Sequence, residues 1–76
     1  MFAYNSKHIP GVYDAEADAL YIKITDNPIV AQAAVTDAII VDLDSGGSVV
    51  GLEVLYPAAN FAAAQEWATA HGIALD

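Results

Sequence analysis

The ten acidic side chains of this 76-residue chain are its first candidates for chemistry, because carboxylate oxygens are the ligands that hard divalent cations prefer. Counting Asp42 as position one, acids stand at one and three (Asp44), Gly47 at six, Val49 at eight and Glu53 at twelve. That spacing imitates a calcium loop. Position five, however, is Gly46, and the flanking residues alternate as strands do. A backbone zipped into a hairpin cannot also wrap an ion, so the hairpin is expected. A second acidic group, Asp14, Glu16 and Asp18, reads most simply as a solvated turn whose carboxylates bond local amides. A divalent-cation module built on Asp14, Glu16, Asp18, Asp42 and Asp44 remains the alternative reading. His8 and His71 stand near opposite ends of the chain, and His71 suits the last turn of a helix. Ser6, Ser45 and Ser48 lack a nucleophile elbow, and there is no phosphate-cradling glycine loop. No catalytic residue and no cofactor is assigned.

The elements that would carry these residues follow from periodicity. Val12 and Tyr13 form a short strand after Pro10-Gly11. From residue 19 to 25, Leu20, Ile22 and Ile24 share one face, and Tyr21, Lys23 and Thr25 the other. Asp26-Asn27-Pro28 is a turn, and residues 29–35 form a weaker strand. Ile39, Val41 and Leu43 alternate with Ile40, Asp42 and Asp44. A two-residue turn at Gly46-Gly47 would then pair Leu43 with Val50, Val41 with Leu52 and Ile39 with Val54. Pro57 opens an alanine-rich helix over residues 58–71, with Phe61, Ala64, Trp67, Ala68 and His71 on one stripe and Gly72 as its stop. The expected fold is α+β: one domain over residues 1–76, a small antiparallel meander of about four strands and one C-terminal helix.

Two stretches carry a family resemblance. Residues 13–22 (YDAEADALYI) and 41–55 (VDLDSGGSVVGLEVL) resemble a family of short prokaryotic proteins defined as a domain of unknown function, typified by YDxEADALYI and DLDxxGxVVGxEIL segments. The likeness covers about residues 12–56. It implies a small intracellular protein of bacterial or phage origin that works with a partner, and it implies no activity, cofactor or catalytic residue.

Composition narrows the function classes. Net charge is −8, with Lys7 and Lys23 the only fixed cations. Nucleic-acid binding needs cations that displace phosphate counterions, and two lysines cannot supply them. Anionic membrane surfaces would repel the chain, and no apolar run approaches the ~20 residues that span a bilayer. No apolar leader follows Met1, and there is no cysteine, so cytoplasmic residence is the expectation. Apolar residues make up 57% of the chain and charged residues 16%, more apolar than a solvated domain of this size needs. The expected function is therefore a small, non-catalytic protein that associates with itself as a dimer or tetramer and binds a protein partner. Tyr21, Ile40, Val49 and Leu55 on the outer sheet face, with Phe61 and Trp67 on the helix, are its candidate interface.

Overall fold

A computed structural model describes residues 3–5 and 10–75 of the chain. Six antiparallel strands and one helix follow in order: β1 (Ala3–Asn5), β2 (Pro10–Asp14), β3 (Ala19–Lys23), β4 (Ala31–Thr36), β5 (Ile39–Leu43), β6 (Val49–Leu55) and α1 (Pro57–Ala70). The antiparallel sheet and single C-terminal helix are those expected. The strand count and order differ. The three-residue β1 is added, the weaker strand expected over residues 29–35 is β4, and together the strands form a six-stranded sheet in the order β1-β2-β3-β6-β5-β4. It is two three-stranded meanders joined where β3 pairs with β6, not one meander.

The join has a hydrophobic cause. Leu20 lies opposite Val54 and Ile22 opposite Leu52. On the same face Ile39 meets Val54 and Val41 meets Leu52. Leu20, Ile22, Ile39, Leu52 and Val54 are at most 1% exposed. Burying a side chain of this size stabilises by ~1.5–3 kcal/mol, so central strands must be those with large apolar residues. The alanine-rich β4 cannot compete for that place and takes the edge. Residues 24–30 carry the chain there past the end of the β5–β6 hairpin. The Ile24 and Thr25 amides both donate to the Val50 carbonyl, at 2.7 and 3.1 Å, and the Val30 amide donates to Leu43 at 2.9 Å.

Helix α1 covers this apolar face through Ala64 and Ala68, which are fully buried, with Phe61 and Trp67 half-buried at the margin of the same core. Alanine at both contact positions lets the helix lie close to its own sheet. The helix starts at Pro57, whose missing amide costs nothing in the first turn. Asn60 holds the entry, donating to the carbonyls of Leu55 and Tyr56. Gly72, at φ 78°, ends it in a Schellman arrangement: the Ile73 amide bonds the Ala68 carbonyl and the Gly72 amide that of Thr69. Gln65 then donates to the carbonyl of Leu75, whose side chain is 5% exposed, and so ties the tail to the core.

The β5–β6 turn corrects one expectation. Ile39 and Val41 pair as predicted, but Leu43 pairs with Val49, and a bulge leaves Val50 as the extra, buried residue. Only Gly47 is left-handed, at φ 81°. The cause is Asp44, whose Oδ1 accepts the amides of both Gly46 and Ser48 at 2.9 Å. That capture needs a three-residue loop over Ser45, Gly46 and Gly47, closed by the Asp44 amide on the Ser48 carbonyl at 3.0 Å.

The two glycines should therefore differ in a urea melt. We expect Gly47→Val to destabilise by ~1–2 kcal/mol, because a branched residue must enter the left-handed region. Gly46→Ala should stay within ~0.5 kcal/mol, since its new methyl would meet only Asp44 Oδ1, at 3.5 Å. Equal losses would refute this loop geometry.

Candidate functional site

The sheet face opposite α1 is built by the alternate residues of the same strands. Register places Val12, Tyr21, Glu53, Ile40 and Ala34 in one row across β2, β3, β6, β5 and β4. The neighbouring row runs Lys23, Gly51, Asp42 and Gln32. Among the described residues no element packs over either row. Val12 is 60% exposed, while Tyr21, Ile40 and Glu53 are half-buried by one another and by the sheet.

Between the two rows lies a polar lattice. Asp42 is only 6% exposed. The Tyr21 hydroxyl donates to its Oδ2 at 3.1 Å, and the Gln32 amide nitrogen donates to its Oδ1 at 2.7 Å. These three residues and Gly51 come from β3, β4, β5 and β6. Gly51 is the floor of this arrangement. A Cβ there would collide with the Tyr21 hydroxyl, stand 2.7 Å from its ring carbon Cζ and 3.1 Å from the Ile22 carbonyl. Only glycine lets the ring lie across β6 to reach Asp42.

The electrostatics make this a hydrogen-bonding device. The Tyr21 phenol is pushed up from its ordinary value, first by burial, then by its bond to Asp42 and by the charges of Asp42 and Glu53. It stays a proton donor at neutral pH, and a base is the one thing it is not. Lys23, the cation of the neighbouring row, is spent on Asp26 at 2.7 Å.

The remaining sequence candidates disperse. Asp44 points into the hairpin loop, away from Asp42. Its carboxyl is held below the usual range by the Ser48 amide first, then by Asn27, which donates to Oδ2 at 3.0 Å, and by the Gly46 amide. Asp14 Oδ1 accepts the amides of Glu16 and Ala17 in a turn, as expected, and Glu16 is exposed. Asp18, left-handed at φ 49°, accepts the Tyr13 hydroxyl at 2.6 Å. Among the described residues no three histidines or acids converge as a metal cluster. Ile40 and Leu55 do lie on the outer face with Tyr21. Val49 does not simply join them, because the bulge sets it opposite Leu43, which packs on the helix-side core. Phe61 and Trp67 pack against the domain's own core, and Trp67 stacks on His71 with ring centres 4.1 Å apart while His71 Nδ1 donates to the Trp67 carbonyl. His8 and Ser6 lie outside the described residues. Gln32 and Gly51 were not among the candidates. Gly51, a glycine inside an otherwise apolar strand, carried a readable signal of close approach.

A family model for a protein of unknown function, DUF2283, matches residues 12–56. The chain belongs to this family. No curated protein matches it, and no solved structure does. The DUF2283 segment runs from β2 through β6 and so contains every member of the lattice, whereas α1 lies beyond it.

Two substitutions test the lattice. Tyr21→Phe leaves Asp42 short of a donor and should cost ~1–3 kcal/mol. Gly51→Ala, which dislodges the ring, should cost at least as much. The linkage sign is also set. A phenol whose folded pKa is raised contributes stability that is complete below about pH 10 and is lost as pH climbs through the folded value. Urea melts between pH 9 and 11.5 should show that loss. Tyr13, raised by its bond to Asp18 first, shares it, so Tyr21→Phe should shrink it and Tyr13→Phe with Tyr21→Phe should shrink it further. An unchanged profile in the double variant would contradict the assignment.

Proposed function

We propose that this protein is a small, non-catalytic interaction protein that associates with itself, and that the sheet face opposite α1 is its contact surface. The observation that carries this reading is a two-faced sheet with one helix. The face left over bears Val12, Tyr21, Ile40 and Leu55 around a nearly buried carboxylate. Sheets bury apolar faces against a second layer, and here a second copy supplies it. A lattice that locks the Tyr21 ring and the Gln32 side chain in place lowers the ordering cost of binding. A domain of this size buries only ~60% of its chain's surface alone, which favours a twofold dimer or a dimer of dimers. The lack of cysteine supports residence in a reducing compartment, the cytoplasm. Among the described residues no helix is long and apolar enough to cross a membrane.

Sedimentation at micromolar concentration tests the reading. The wild type should run as two or four chains of 7.9 kDa. Ile40→Glu, which puts a carboxylate beside Glu53, should weaken association about tenfold or more, whereas Trp67→Ala should not dissociate it. Each copy carries −8, so association should tighten as salt rises from 10 to about 150 mM and screens the repulsion. A wild type that sediments as one chain throughout overturns the proposal.

A further inference from the structure

We infer that β4 is a second self-contact, at which the edge strands of two copies pair antiparallel and join two six-stranded sheets into one of twelve. It rests on the reading that the chain self-associates, and it adds a contact distinct from the open face. β4 ends the sheet and pairs only with β5, so one side of its backbone is open to a further strand. Edges of this kind are ordinarily blunted by charge or proline. β4 has neither along Ala31–Thr36, and its one irregularity is a bulge between Ala34 and Thr36, at its C-terminal end. The two residues that lead into it, Ile29 and Val30, are 50% and 62% exposed, half of the large hydrophobic side chains this exposed among the described residues.

The charge pattern selects a second copy as the occupant. Two chains of −8 repel nearly everywhere, and the neutral stretch from Asn27 to Thr36 is bounded by Asp26 and Asp37. A twofold axis at Ala33 sets Gln32 opposite Ala34 of the other copy, and the bulge between Ala34 and Thr36 ends the regular pairing beyond them. Asp26 and Asp37 lie beyond the ends of this neutral stretch, so no carboxylate falls within the pairing. The alanine at the axis offers no bulk to the approach. Gln32, bonded to Asp42 at 2.7 Å, holds the strand in register before pairing. The twofold keeps both helices on one side and both open faces on the other, so edge pairing and face stacking together build the dimer of dimers.

The chain has no cysteine, so a single one reports cleanly. Cα atoms directly opposite in an antiparallel pair are ~4.5–5.5 Å apart, within disulfide reach. Ala33→Cys should therefore form a disulfide-linked dimer at least ~10-fold faster than Ser45→Cys in the hairpin loop, under the same oxidant at micromolar protein. Ala33→Glu, at an exposed site that keeps the far-ultraviolet dichroism of the fold, should lower the sedimenting mass. Ala33→Cys no faster than Ser45→Cys, together with a mass unmoved by Ala33→Glu, would overturn the edge contact. In that event dissociation by Ile40→Glu would leave the open-face reading standing, and a monomeric wild type would remove both.

Discussion

The pairing of β3 with β6 is the interaction on which the rest of this structure depends. Each meander alone is a three-stranded ribbon with little to bury. Joined, they set Leu20 and Ile22 against Val54 and Leu52 and make one apolar floor for the helix. The same join creates the other face. Tyr21 reaches Asp42 only because β6 lies between their strands, and it crosses β6 only because residue 51 is glycine. A side-chain lattice from residues 21, 32, 42 and 51 is thus a product of strand order.

That dependence explains what could be read from the chain beforehand. Alternation in Ile39–Leu43 and Val49–Leu55 was enough to pair Ile39 with Val54 and Val41 with Leu52, and to place Glu53 opposite Ile40. It was not enough at Leu43, because the capture of two amides by the Asp44 carboxylate widens the loop and slips the register by one. Alternation also assigns faces without naming neighbours, so one meander looked as good as two. β4 was hard to see as a full partner because alanine, glutamine and threonine leave almost no period, and with it went Gln32. The helix stripe was legible, but which of its members touch the sheet was settled by size: Ala64 and Ala68 go under, and Phe61 and Trp67 flank them.

The two faces of the sheet are treated in opposite ways. The side beneath α1 is a dry core of aliphatic side chains. The other side mixes exposed Val12 and half-buried Ile40 with two carboxylates, Asp42 held by two neutral donors and Glu53 set between Tyr21 and Ile40 in the row. Removing a carboxylate from water is costly unless donors replace the water, and Tyr21 and Gln32 do so at Asp42. The family segment ends before α1, which covers one face of the sheet, and the face that carries the lattice has no element over it among the described residues.

The most direct measurement is an isotope-filtered nuclear Overhauser experiment on a mixture of labelled and unlabelled chains, which sees only contacts between copies. The account predicts cross-peaks between copies from Val12, Ile40 and the Tyr21 ring. Their absence in a sample that sediments as an oligomer, or cross-peaks confined to Trp67 and His71 on the helix, would contradict it.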